Sequence, residues 1–236
     1  MIIDGNGMGS AVGDYDGDGD LDWFVSSILA QGEVPPHLSS IGNRLYRNEG
    51  GVLVDASSST AIASGGWGWG SCFLDYENDT HLDIYQTNGW PEWEELGNFP
   101  TDTTRAFVNN GAASFTNQAE DYGLNDTEQG RGVVCADLDR DGDIDILQLH
   151  GNTANAVTLW ENTSGGNYLT VELRGRAPNT QAIGAKVVIE AGQKWQLREM
   201  MLGNNFASHN PAEQHFGLGQ ATQINTLRID WPDGTR

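Results

Sequence analysis

The 236-residue sequence predicts an all-β protein: a partial β-propeller of about three four-stranded blades followed by a small C-terminal β domain. Three observations predict it. An acidic nonapeptide recurs three times, with starts 61 and 62 residues apart and matching flanks on both sides. Short β-prone runs are punctuated by turn residues, and no long segment of helical periodicity interrupts them. Charge and hydrophobic pattern change together near Gly165-Gly166, where 27 acids and five bases give way to six acids and seven bases. The expected division is therefore residues 1–165 for the repeats and 166–236 for the second domain.

Each repeat unit reads in the same order. A Gly-x-Gly lead-in comes first, as Gly7/Gly9, Gly68/Gly70 and Gly130/Gly132. The acidic loops follow: Asp14-Tyr-Asp-Gly-Asp-Gly-Asp-Leu-Asp22, Asp75-Tyr-Glu-Asn-Asp-Thr-His-Leu-Asp83 and Asp137-Leu-Asp-Arg-Asp-Gly-Asp-Ile-Asp145. Apolar runs suited to strands come next, beginning at Trp23, Ile84 and Ile146. A long loop leads to a second motif, Leu45-Tyr46-Arg47-Asn48, Phe107-Val108-Asn109-Asn110 or Leu159-Trp160-Glu161-Asn162. The loops carry Pro35-Pro36 in the first unit and Gly89-Trp90-Pro91-Glu92-Trp93 in the second. The third unit is about nine residues shorter, so its loop is trimmed as the chain leaves the array. Beyond it, Leu169, Val171 and Leu173 alternate, as do Leu227, Ile229 and Trp231. Residues Val187 to Leu197 read as a hairpin turning at Ala191-Gly192.

Composition excludes several classes. A net charge of −21 argues against nucleic acid and anionic membranes as partners, since both require a basic face. No run of 18 apolar residues encodes a transmembrane helix. No basic segment followed by an apolar one opens the chain as a signal peptide would. Two cysteines cannot build a disulfide-dense scaffold or a four-cysteine zinc site. Eight Trp, seven Phe and six Tyr are too many aromatics for simple disorder.

The nonapeptides carry the chemistry. Five acids in nine residues, or four in the second loop, repel one another unless a cation neutralises them. A hard divalent cation takes six to eight oxygens at about 2.3–2.6 Å, which suits Ca²⁺ better than Mg²⁺. Positions 1, 3, 5 and 9 would supply side chains and position 7 its carbonyl. The expected ligands are Asp14, Asp16, Asp18, Asp20 and Asp22 in the first loop, and Asp137, Asp139, Asp141, Asp143 and Asp145 in the third. The second would use Asp75, Glu77, Asp79, His81 and Asp83, with His81 acting through its carbonyl and not its imidazole. It has Thr80 where the others have Gly19 and Gly142, so a weaker or distorted site is expected there. Up to three Ca²⁺ ions are thus implied. An EF-hand is excluded, because position 12 is Val25, Gln86 or Gln148 and not a bidentate Glu, and the flanks read as strands.

Other residues read as structural. His215 is assigned to packing and not to catalysis. Trp67 and Trp69 suit an interface between blades, whereas Trp90 and Trp93, in a long loop beside Glu92, Glu94 and Glu95, suit a ligand-facing patch. Cys72 lies three residues before its loop and Cys135 two before its own. On equivalent strands this puts them on opposite faces, which argues against a disulfide without forbidding it. Asn78, Asn125 and Asn162 head formal glycosylation sequons. No nucleophile elbow, His-Glu-x-x-His pair or phosphate loop is present, so no catalytic residue is assigned.

The loops with their lead-ins resemble the FG-GAP/VCBS calcium-loop repeats known from propellers such as the integrin α-chain headpiece. Five later blocks resemble the ASPIC/UnbV domain: Asn167-Tyr-Leu-Thr-Val-Glu-Leu-Arg-Gly, Ala182-Ile-Gly-Ala-Lys-Val, Gln196-Leu-Arg-Glu, His215-Phe-Gly-Leu-Gly and Ile229-Asp-Trp-Pro-Asp-Gly. The resemblance implies an extracellular, non-enzymatic module for adhesion or assembly, with structural calcium and a protein or glycan partner. The alternatives are part of an extracellular polysaccharide-acting enzyme, or a filament subunit. Three units are too few to close a ring. The chain is therefore expected to be the C-terminal portion of a longer protein whose leader lies upstream, or an open array completed at its edges by another copy.

Overall fold

The computed structural model describes residues 2, 5–31, 40–93, 97–151 and 156–236, and within them the protein is strands and turns with no helix. Pro35-Pro36, Glu94 and Glu95 lie outside the described residues, as do the side chains of Glu92 and Trp93. No described helix is long and apolar enough to cross a membrane.

The first sheet is a four-stranded antiparallel blade in sequence order, β1 (Ser10–Gly13), β2 (Asp22–Val25), β3 (Arg44–Glu49) and β4 (Val52–Asp55). The second unit contributes β5 (Gly68–Leu74) and β6 (Asp83–Asn88), then an inserted hairpin of β7 (Trp90–Trp93) and β8 (Gly97–Phe99), then β9 (Arg105–Asn109) and β10 (Phe115–Asn117). Its blade runs β5-β6-β9-β10, the same order as the first. The third has three strands, not the four expected: β11 (Gly130–Ala136), β12 (Asp145–His150) and β13 (Val157–Trp160). Where the other units turn back for a fourth strand, this one passes through Gly165-Gly166 into the next sheet. β13 thus remains an edge, with Val157 48 % and Leu159 55 % exposed.

Strand alternation makes the blades stack. In β6 and its neighbours, one set of side chains (Leu82, Ile84, Phe107, Phe115) packs on Ala11, Phe24 and Leu45 of the first blade. The opposite set (Cys72, Leu74, Tyr85, Ala106) packs on Val133, Cys135 and Ile146 of the third. Each fully buried Leu, Ile, Val or Phe among them stabilises the fold by about 1.5–3 kcal/mol. The same geometry corrects the cysteine expectation. Cys72 and Cys135 are disulfide-bonded, with Cα atoms 6.6 Å apart. Opposite faces of equivalent strands are the ones that meet when blades stack face to back, so the one-residue offset permits the bond instead of opposing it.

Buried amides join the same interfaces. Asn43 Nδ2 of the first unit donates to Gln86 Oε1 at 2.6 Å, and Gln86 Nε2 donates to Asn88 Oδ1 at 2.8 Å. Asn88 Nδ2 continues to Asp102 Oδ2 at 2.8 Å, whose other oxygen accepts from Arg105 at 2.7 Å. In the third blade Gln148, equivalent to Gln86, accepts from the Tyr85 hydroxyl at 2.8 Å and donates to Asp126 at 3.1 Å. A polar group buried between sheets is costly unless it is satisfied in this way.

The C-terminal sheets are β14 (Asn167–Glu172) paired with β17 (Glu213–Gly219), and β15 (Lys186–Ala191) set between β16 (Lys194–Glu199) and β18 (Ile224–Asp230). Val171, Val187, Ile189, Phe216 and Leu218 form their core. The β15–β16 hairpin turns at Gly192-Gln193, one residue later than expected, with both residues at positive φ (56° and 65°) as a tight two-residue turn requires. Residues 204–210 cross the inner strands of the array. Asn205 N donates to Ser10 O at 3.0 Å, Ser208 Oγ accepts from Val133 N at 3.0 Å, and Asn210 Oδ1 accepts from Cys135 N at 3.0 Å. The inner edges of β1 and β11 are thereby capped within the chain.

Candidate metal centre

The three acidic loops coil by closely related hydrogen bonds, with one difference: in the third, the position-5 amide of Asp141 donates to Asp139 at 3.2 Å and not to the position-1 acid. In the first, the position-1 carboxylate of Asp14 accepts from the amides of Asp18 and Gly19, both at 3.1 Å. Asp75 does the same with Asp79 and Thr80, both at 2.8 Å. Asp137 accepts from Gly142 at 3.1 Å through Oδ2, while its buried Oδ1 has no hydrogen-bond partner. The position-5 carboxylates accept from position 7, at 2.8 Å for Asp18, 2.9 Å for Asp79 and 2.9 Å for Asp141. Position 6 lies at φ 91° in Gly19, 98° in Gly142 and 87° in Thr80. Thr80 therefore follows the glycine backbone although a β-branched residue is disfavoured there. Its hydroxyl accepts from Lys194 Nζ of β16 at 2.9 Å. At Gly142 no side chain would fit, because a Cβ would run into the Tyr168 ring.

Position 9 latches each loop to its blade. Asp22 accepts from the amides of Tyr15 (3.1 Å) and Asn48 (2.8 Å), and Asp83 from those of Tyr76 (3.1 Å) and Asn109 (2.8 Å). Asp145 accepts from Leu138 (2.8 Å) and Asn162 (2.9 Å). The asparagine in each pair belongs to the second repeated motif, and its side chain returns to the position-8 carbonyl of its own loop. Asn109 Nδ2 also donates to Tyr15 O at 2.9 Å, and Asn162 Nδ2 to Tyr76 O at 2.8 Å, tying each loop to the preceding one. The motif was visible in the sequence as a repeat, but its role required the loops to be neighbours in space.

The carboxylates converge unequally. Asp14, Asp16 and Asp18 bring oxygens within 4.8 Å of one another, as do Asp137, Asp139 and Asp145. These two clusters could hold a metal ion. Among the described residues the second loop forms no such cluster. There Glu77 Oε1 is held by the Tyr122 hydroxyl and Asp79 Oδ2 by His81 Nδ1 at 3.1 Å. The buried Glu77 Oε2 nevertheless has no partner. Position-7 side chains turn outward: Asp20 accepts from Gly50 N at 2.8 Å, and Asp143 from Gly165 N at 2.6 Å and Asn78 Nδ2 at 2.7 Å. The unpartnered, nine-tenths-buried Asp137 oxygen beside other carboxylates suits a hard cation that takes only oxygen ligands.

Burial raises these acids. It pushes Asp14 up to about 6, Asp75 to about 6 and Asp22 to about 7, with neighbouring carboxylates adding to the effect. Asp16, Asp83 and Asp143 move in the same direction. The sign follows from linkage. A carboxyl whose folded pKa exceeds its ordinary 3.8 holds its proton more tightly in the native state. Metal-free stability should therefore rise as pH falls from about 7 towards 4, and calcium-induced stabilisation should shrink over the same window. Melting curves at pH 7.5 and 5.5, with and without calcium, test this; a metal-free form that weakens on acidification over this range would refute it.

The C-terminal sheets meet the loops directly. His215 Nε2 bonds to Gly142 O at 3.0 Å and its ring stacks on Tyr168, while burial pulls its pKa down to about 4. Gly219 N donates to Asn78 O at 2.8 Å, and Arg140 pairs with Glu213 at 2.8 Å. Gly217 packs so closely on Asp75 and Asn78 that no side chain would fit. His81 also contacts Lys194 Nζ, at 3.2 Å, so its imidazole does have a role, in docking.

Away from the loops, Trp67 and Trp69 are buried with Ile28 and Phe99. Trp90 stacks on Trp67 at 5.6 Å, and the Arg131 guanidinium sits 4.9 Å from its ring. It belongs to this cluster, which corrects its assignment to a ligand-facing patch. Asn78 and Asn162 are buried and bonded, so of the three sequons only Asn125 is exposed.

The fold and site define an all-β repeat protein whose acidic loops form candidate cation sites between stacked blades. Residues 175–236 match the family described as "ASPIC and UnbV". Over 239 aligned residues, 97 % of this chain, the protein is 24 % identical to cartilage acidic protein 1 of Mus musculus and of Homo sapiens, covering 34 % and 33 % of those proteins. It is 31 % identical to cartilage acidic protein 1 of Xenopus tropicalis over 110 residues, 45 % of this chain and 17 % of that one. The chain spans about a third of the length of the curated relatives it matches most fully.

Proposed function

We propose that this protein is an extracellular, non-enzymatic calcium-binding β-repeat module of the FG-GAP/VCBS type, serving adhesion, protein–protein interaction or surface assembly, with calcium in a structural role. The observation that carries the reading is the convergence of carboxylates in two of the three repeated loops, with, in the third loop, an Asp137 oxygen buried without a partner. Similarity to cartilage acidic protein 1 across nearly the whole chain supports an extracellular setting, where calcium is abundant enough for weak loop sites. The inter-blade disulfide is in keeping with an oxidising compartment.

In this reading residues 1–165 are the repeat domain and 166–236 an ASPIC/UnbV-like domain. Asp14, Asp16 and Asp18, with the Asp20 carbonyl and Asp22, hold one ion. Asp137, Asp139 and Asp141, with the Asp143 carbonyl and Asp145, hold a second. Asp75, Glu77, Asp79, the His81 carbonyl and Asp83 form a weaker third site, since two of those side chains are already engaged. Calcium would neutralise carboxylates that burial otherwise penalises, and so pin each loop between its strands.

Titration calorimetry tests the assignment. Two ions should bind in the micromolar to millimolar range expected of loop sites, and a third more weakly. Asp16→Asn and Asp139→Asn should each remove one of the first two. A chain that takes up no calcium at millimolar concentration would sink the proposal.

A further inference from the structure

Each blade has two faces, and among the described residues only unlike faces meet. The leading face of the second blade, with Ile84 and Phe107, packs on the first blade. Its trailing face, with Tyr85 and Ala106, packs on the third. Counted from the acidic loop and the second repeated motif, the same trailing positions in the first blade are Phe24 and Leu45, both fully buried at the interface with the second. In the third blade they are Leu147 and Leu159, which lie directly opposite each other on β12 and β13. These are equally apolar, but Leu159 is 55 % exposed, and the neighbouring pair Leu149 and Val157 is exposed beside it. At the other end of the array, the leading positions of the first blade hold Trp23 and Tyr46, with ring centres 5.5 Å apart.

The hydrogen bonds between loops are incomplete at the same two ends. Asn109 and Asn162, both buried, donate from Nδ2 to the position-2 carbonyl of the preceding loop, Tyr15 O and Tyr76 O. Asn48 holds the equivalent place in the first unit. It is half-buried, and among the described residues its Nδ2 donates to Leu21 O alone. At the far end, the position-2 carbonyl of the third loop belongs to Leu138 and receives no asparagine among the described residues; Leu138 is 45 % exposed. One end thus offers the donor, and the other the acceptor, of a bond that recurs at both internal interfaces.

We infer that the trailing face of the third blade is covered by the leading face of the first blade of a second copy of this chain, with Asn48 of that copy donating to Leu138 O. The inference rests on the reading of residues 1–165 as propeller blades, and it extends the interface that already joins them. Such a contact brings two different surfaces together, so it repeats until a ring closes. Propellers close with about four to eight blades, and six is the only multiple of three in that range. Two copies therefore complete one ring through two identical contacts.

Sedimentation equilibrium of the full chain tests this, in calcium and at a salt concentration that screens the like charge of the two copies. The mass should be twice the 25.6 kDa of one chain. Leu159→Asp should weaken the pair by about 30-fold, the loss typical of a central interface residue. Leu227→Asp, at an equally exposed leucine of the C-terminal sheets, should leave it unchanged. Register has its own readout. Cys72 and Cys135, three and two residues before their loops, are bonded across the second and third blades. The corresponding positions at the inferred contact are Val134 and Val12. The double variant Val12→Cys/Val134→Cys should form a reductant-sensitive covalent dimer on oxidation, and neither single variant should. A parent chain that stays monomeric, its trailing face left to some other partner, overturns the inference. So does a dimer that Leu159→Asp leaves intact and the cysteine pair does not trap, or a mass that climbs with concentration without limit. If Leu159→Asp does not fold, the parent mass and the cysteine trap decide. Calcium uptake is measured separately by calorimetry, so a monomer that still binds calcium sinks this inference alone.

Discussion

Chelating calcium should lower the melting temperature of this protein by roughly 10–20 °C. A ligand present at about 100 times its dissociation constant stabilises the native state by roughly 2.7 kcal/mol per site. Two sites of the first- and third-loop type would therefore contribute about 5 kcal/mol, and in a protein of this size 1 kcal/mol moves the melting temperature by about 2–4 °C. The effect is large because each loop sits at a blade interface. Asp22 and Asp145 each hold one amide of the loop and one of the second repeated motif, and Asn109 and Asn162 pass the restraint to the preceding loop. Loosening one loop thus loosens two blades. Scanning calorimetry in calcium, in chelator and in magnesium makes the comparison. Equal melting temperatures in calcium and chelator would remove the structural role assigned to the ion.

The second large effect should come from the disulfide. Cys72 and Cys135 close a loop of 63 residues that spans the second blade. In the chain-entropy account, opening such a loop costs about 4 kcal/mol. The double variant Cys72→Ala/Cys135→Ala, or the reduced protein, should accordingly melt about 8–16 °C lower. Both cysteines are buried at the interface of the second and third blades, so the substitution also removes some packing. Thiol titration in denaturant without reductant separates the possibilities. Two free thiols in a well-folded preparation would show that the pairing is wrong.

These two predictions differ in origin, and the difference runs through the whole molecule. The calcium prediction was legible in the residues. Three copies of one acidic string, with glycine or its substitute where the backbone turns left-handed, specify loop after loop, because a local pattern suffices to coil nine residues around their own amides. The four-strand order of the first two blades followed from the same repeat. The disulfide was not legible, because it depends on which faces of two distant strands meet. The one-residue offset between Cys72 and Cys135 argued against the bond, without forbidding it, on equivalent strands and became favourable once blades stacked face to back. Trp90 was misread for a similar reason: its loop folds back as β7–β8 and lays the ring on Trp67.

By itself, then, the sequence determined the all-β class, the repeat length, the positions of the acidic loops and the change of character near Gly165-Gly166. Each of these is a property of neighbouring residues, their alternation, spacing and charge. Only the tertiary structure decided which loop carboxylates converge, that among the described residues the third blade has no fourth strand, and that Cys72 and Cys135 meet across two blades. The physical reason is that side-chain patterns encode local conformation, whereas electrostatic balance and cross-linking depend on distances through space that the order of residues along the chain does not contain.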